Sequence, residues 1–170
     1  GLNSAPEMIL HKDTTEGTFA WNSWHIGLNS DSYIQLDTDS AQDNSVDIWR
    51  SDRILATTFG LGNWSNHANN RSGEQHIAYC FHSVEGYCKV GNYIGNGDAS
   101  GPVVYTDFKP SFVLIKRTDS NFGGEWSIFD NVRNTTNPNN KLLSPDLNAS
   151  ETTASLDFLS NVSNKILLMF

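Results

Sequence analysis

The sequence has 170 residues, with 19 Asp and Glu against 11 Lys and Arg, a formal net charge of −8 and a pI near 4.9. That is enough chain for one domain with a full core, and it is too acidic to attract a polyanion such as nucleic acid. Only 18% of residues are charged, so much of the polarity comes from Asn, Ser and Thr, which favour turns and strand edges, and no apolar run is long enough to cross a membrane as a helix.

GLNSA (1–5) reads as a small polar arm, and the opening GLNSAPEM has neither the charged nor the apolar region of a secretion leader. PEMILHK (6–12) follows as a strand buried on both faces, then the polar loop DTTEGT. FAWNSWHIGL (19–28) is the next strand signal, anchored by Phe19, Trp21 and Trp24. DSYIQLDT (31–38) alternates as a half-buried strand. DTDSAQDNSVD (37–47) is an acidic loop, 46–62 is irregular, and NWSNHANNRSGEQ (63–75) is a solvated loop with Trp64 as its main apolar residue. HIAYCFHS (76–83) is the strongest strand signal of the first half.

Val84-Glu85-Gly86 then reads as a hairpin turn joining 76–83 to 87–94. In that register Cys80 lies opposite Cys88 or one step away, with Cα atoms roughly 4.5–5.5 Å apart, within disulfide reach. The alternative is two buried thiols in a reducing compartment. After the glycine-rich loop come VVYTDF (103–108), PSFVLIK (110–116), EWSIFDNV (125–132), KLLS (141–144), SLDFLS (155–160) and KILLMF (165–170), all strand signals between turn residues. The count is roughly eleven to twelve strands and almost no helix.

The chain also repeats itself. PEMILHK and PSFVLIK share a frame of proline, polar, three apolar residues, one variable residue and lysine. Each is followed by a strand with a tryptophan, which pairs Trp24 with Trp126, and each half closes on a strand, HIAYCF or KILLMF. The expected architecture is one antiparallel all-β sandwich of lectin-like or jelly-roll type over residues 1–170. Its repeat-like halves are about 6–83 and 110–170, joined by a connector at 84–109.

The runs IAYCFHSVEGYCKVGNYIGNG (77–97), GPVVYTDFKPSFVLIKRTD (101–119), EWSIFDNVRN (125–134) and LDFLSN (156–161) resemble a domain that recurs in tail-fibre and appendage proteins of marine tailed bacteriophages. The resemblance runs from about Pro6 to Asn161 and is densest at 77–131. It implies a lectin-like β-sandwich on a virion surface. It carries over no catalytic residue. Cys88 stands where the family has serine, Val90 where it has an aromatic and Asp107 where it has glycine, and the C-terminal end departs from the family pattern.

Candidate sites are few. Asp37, Asp39 and Asp43 can offer oxygens to Ca²⁺, although the glycine and terminal glutamate of an EF-hand are absent; a solvated turn is the plain alternative. Gly95–Gly101 lacks the lysine of a phosphate loop, so it reads as a turn in which Asn96 and Asp98 are possible sugar partners. Trp49 and Trp64 sit in polar surroundings, where a flat indole can stack on a sugar, whereas Trp24 and Trp126 read as core. The five histidines show no zinc spacing, and no catalytic motif is present. The reading is a non-enzymatic, extracellular virion domain without a resident cofactor. Its expected partners are copies of itself, neighbouring virion proteins or host-surface carbohydrate; nucleic acid and membrane insertion are excluded. A purely structural self-assembling subunit is the alternative, and a polysaccharide-cleaving enzyme a more distant one.

Overall fold

The computed structural model describes residues 3–62, 69–98, 102–119, 124–135 and 139–153, and the backbone of 166–169. The fold is all-β, sandwich-like and antiparallel in every described ladder. The strands are β1 Met8–Asp13, β2 Asn22–His25, β3 Ser32–Gln35, β4 Asp43–Asn44, β5 Trp49–Arg50, β6 Gly60–Leu61 and β7 His76–Phe81. There follow β8 Val90–Tyr93, β9 Phe112–Arg117, β10 Ser127–Asp130, β11 Lys141–Leu142, β12 Thr152–Thr153 and β13 Ile166–Met169. Among the described residues the helical content is one 3-10 turn, Ser51–Arg53. The expected strand at 103–108 joins no ladder: Val103 and Tyr105 point out to solvent, and Asp107 turns the chain with a φ of 65°. The strand expected at 155–160 lies outside the described residues.

The chain divides into two compact units, Gly1–Asp37 with Gln42–His82, and Thr38–Ala41 with Ser83–Phe170. The first unit is a five-stranded sheet in the order β4-β3-β2-β1-β7, together with the β5–β6 ribbon. Alternation along β1 puts Ile9, His11 and Asp13 on one face and Leu10 and Lys12 on the other. Ile9 and Trp24 form one core with Ile48 and Trp49, closed by Tyr33, Ile54, Phe59, Leu61, Ala78 and Cys80. The second unit is a four-stranded sheet in the order β10-β9-β13-β8 with the short β11–β12 ribbon. Val113 is buried at its centre, packed by Tyr93, Val104 and Ile115, and Trp126 is buried as well. Residues 90–93, expected in the connector, are a strand of this sheet.

Cross-strand register makes the duplication concrete and corrects its frame. Ile9 pairs with Trp24, and its counterpart Val113 pairs with Phe129. Trp24 therefore corresponds to Phe129, and Trp126 corresponds to Trp21 rather than to Trp24. The repeated words are WNSW (21–24) and WSIF (126–129). Three further details repeat. Lys12 Nζ donates to Phe19 O, and Lys116 Nζ donates to Gly124 O, at corresponding positions. The Trp21 amide donates to Asp37 Oδ1 at 3.0 Å, and the Trp126 amide donates to both oxygens of Asp146 at 3.2 Å. The strands β7 and β13 lie beside β1 and β9 in the same orientation.

The expected 76–94 hairpin does not form. β7 pairs with β1, which places Cys80 opposite Ile9, and β8 pairs with β13. What remains of the turn is a single bridge, Val84 to Cys88, around Gly86 at a φ of 72°. The two cysteines thus have different strand partners, and no disulfide joins them. The hydrophobic pattern of 76–94 satisfied a hairpin, but the longer ladder with β1 uses all six residues of β7.

Candidate functional site

The residues singled out from sequence are dispersed among different roles. Trp49 is the clearest correction: its exposure is 0%, and it packs edge-on to His11 and tilted against Phe59. Its neighbours in sequence are polar because Asp47, Asp52 and Arg53 are exposed around it while Ile48 and Trp49 are buried together. Trp64 lies outside the described residues. Asn96 and Asp98 are exposed and form an Asx turn, the Asp98 amide donating to Asn96 Oδ1 at 3.1 Å across Gly97 at a φ of 69°.

The acidic loop is also spent on structure. Asp37 caps the Trp21 amide, Asp43 accepts the Tyr33 hydroxyl at 3.1 Å, and the Asp39 carbonyl accepts from Lys116 Nζ at 3.0 Å. Among the described residues no group of three His, Cys, Asp or Glu is placed to hold a metal ion. Asp37→Ala removes the exposed acceptor of the Trp21 amide and is expected to lower stability by about 1 kcal/mol. Urea melts with and without EDTA check this; a loss seen only without EDTA would return Asp37 to a metal-binding role.

Two features that the sequence reading passed over are better candidates. The first is a buried polar cluster on the inner face of the first unit. His11 on β1 stacks on His76 of β7 with ring centroids 5.2 Å apart and planes 23° apart. Asp13, fully buried, is the cross-strand partner of His76. Asp13 Oδ1 accepts the Thr15 and Glu16 amides at 2.8 and 3.1 Å. Both nitrogens of each of the two imidazoles, Asp13 Oδ2 and Trp49 Nε1 have no hydrogen-bond partner. Burial, with the neighbouring His76, pulls the His11 pKa down to about 4 against a smaller opposing pull from Asp13. Burial tends to raise the Asp13 pKa, but the Glu16 and Thr15 amides outweigh it and hold the carboxyl below its usual range.

The second feature is an aromatic platform on the opposite face of the same sheet. Trp21 and Tyr79 stack with centroids 6.3 Å apart and planes 21° apart, and Tyr79 is 48% exposed beside the exposed Ile77. Tyr79 is the cross-strand neighbour of Leu10, which assigns it to the outer face. Lys12 fixes the adjoining loop through Phe19 O, Asp37 fixes the Trp21 backbone, and Arg71 lies over the Phe19 ring at 5.7 Å while pairing with Glu16 at 3.6 Å. The platform is thus held by backbone and loop contacts, with Tyr79 left about half exposed. A groove of about 400 Å³ also opens in this unit, lined among others by Asp47, Arg50, Arg53 and Asn70. Gly62 also lines it and packs against the Asp47 backbone, where a Cβ would sit 1.9 Å from the carbonyl carbon.

The signals for both features were present. His11 and Asp13 alternate with Leu10 and Lys12, so both fall on the Ile9 face, and the repeat sets His11 against Ile115. Trp21 stands out only once the repeat frame is corrected to WNSW.

These features define an internally duplicated antiparallel all-β domain with an open aromatic face on its first unit and a buried histidine pair beneath it. The chain belongs to the DUF7483 family, a domain of unknown function, whose model matches residues 1–165. No curated protein and no solved structure matches it.

Proposed function

We propose that the chain is a non-enzymatic surface domain of a virion or tail-fibre-type appendage that contacts host-surface carbohydrate through the Trp21–Tyr79 platform. The observation that carries the reading is that stacked, half-open aromatic pair. Sugars present a flat C–H face that packs on such rings, and rigid aromatics supply contact area at low entropic cost. The platform takes over the role first assigned to Trp49, Trp64, Asn96 and Asp98. The sequence resemblance to phage appendage domains supplies the setting, and the net charge of −8 agrees with a solvated outer surface.

Tyr79→Ala removes the more exposed ring from a surface strand. Binding of the intact chain to a glycan panel and to candidate host cells is expected to fall about tenfold or more, with the urea midpoint little changed. Binding that survives the loss of both Trp21 and Tyr79 side chains contradicts the platform.

A second reading, assembly with copies of itself, draws on a different observation. Among the described strands β7 ends the five-stranded sheet and carries the exposed Ile77 and Tyr79, while β8 ends the four-stranded one and is flanked by the exposed Tyr87 and Ile94. A strand edge of that kind pairs readily with another chain. Concentration-dependent sedimentation distinguishes it from a monomeric adhesin.

A further inference from the structure

The duplication supplies an internal control for the buried polar cluster. Where the first unit has His11, Asp13 and His76, register places Ile115, Arg117 and Ile166 in the second. The scaffold therefore forms without two facing imidazoles, and nothing in the strand pairing demands them. Their cost is plain: four ring nitrogens, one carboxylate oxygen and one indole N–H lie buried without partners.

We propose that the His11–His76 stack, closed in by Asp13 and Trp49, is an acid-sensitive element that loosens the first unit when it takes up a proton and leaves the second unit intact. The electrostatics follow from the surrounding groups. Asp13 on β1 is the anion beside the pair, but its Oδ1 is already shared by two amides, so Oδ2 is the acceptor left to it. Arg71, whose charge Asp13 feels, is ion-paired with Glu16. Trp49 on β5 offers only a donor and a ring edge. A proton on His11 places a cation against the stacked His76 ring, at a site where neither His11 nitrogen has a hydrogen-bond partner. Because the stack ties β1 to β7 and meets Trp49 of the core, the strain falls on the first unit's main ladder.

The sign is that of a base whose folded pKa is lowered. The unfolded chain protonates His11 near 6.5 and the folded chain near 4, so stability is complete above pH 6.5 and is lost as pH falls through that window. Hydrogen exchange read by peptides on the intact chain, corrected for intrinsic rates, tests the proposal. Between pH 7 and pH 5, β1 and β7 are expected to lose about tenfold in protection while β9 and β10 keep theirs. His11→Ile, which copies the second unit, is expected to abolish the difference. Should that variant fail to fold, histidine NMR titration of the unaltered chain decides: a His11 that stays neutral below pH 5 supports the element. Equal pH response in both units, or a His11 that titrates at its ordinary value with no change in protection, overturns it.

Discussion

Lys116→Met is expected to destabilise the chain by about 3 kcal/mol, far more than its location on a lysine-bearing strand suggests. Lys116 has 0% exposure. Its Nζ donates to Gly124 O and to Asp39 O, so removal leaves the buried Gly124 carbonyl without this donor and releases the 38–41 segment from its own unit. Methionine keeps the stem and isolates the polar contribution. Burial drags the Lys116 pKa down to about 8, against Asp146, Asp39 and Glu125, which favour the charge. A neutral amine still carries two hydrogens for two carbonyls. Since the unfolded chain holds its proton up to about 10.4, wild-type stability gains from this group as pH rises from about 8 towards 10. The gap between wild type and Lys116→Met therefore widens over that range. Urea melts at pH 7.5 and 9.5 measure both effects, and a gap that narrows with pH contradicts the assignment.

Trp49→Ala is expected to cost about 3–5 kcal/mol, the range for emptying a fully buried aromatic site. The indole joins Ile9, Trp24 and Ile48 and contacts Phe59 and His11, so the cavity opens in the core described for the first unit. The contrast with Tyr79→Ala is the informative part. Trp49 is a buried core residue, and on the proposed function Tyr79 is a contact residue, so the first variant is expected to shift the urea midpoint and the second the binding isotherm. Binding lost in a well-folded Trp49→Ala chain would restore the sugar-stacking role first read from its polar neighbours.

Most of the fold was legible because its signals were local and periodic. Alternation placed β1, β2, β3, β7, β9 and β10 within a few residues of their observed bounds, and the Pro-x-apolar-x-Lys frame exposed the duplication. Partner choice was not local. The 76–94 segment satisfied a hairpin by pattern, yet β7 joins β1 from the far end of the unit, a pairing with no turn to mark it. The same gap in information hid the site. Asp37, Asp39 and Asp43 looked like ligands because spacing says nothing about which amide, hydroxyl or lysine each group already serves. Trp49 looked exposed because its neighbours are, whereas Trp21 looked like core because its strand is. His11 was unremarkable as one histidine of five; it became informative only against Ile115 and beside a His76 distant in sequence.

The central claim is that the first unit's outer sheet face is the contact surface. A two-dimensional NMR footprint of the intact chain, titrated with a panel of host-surface polysaccharides, tests it most directly. The expected result is saturable shifts at the Trp21 indole, the Tyr79 ring and the β7 amides, with the Asn96 and Asp98 amides unmoved. Shifts confined to other surfaces, or none with any polysaccharide while the chain self-associates, would contradict the claim and favour the assembling subunit.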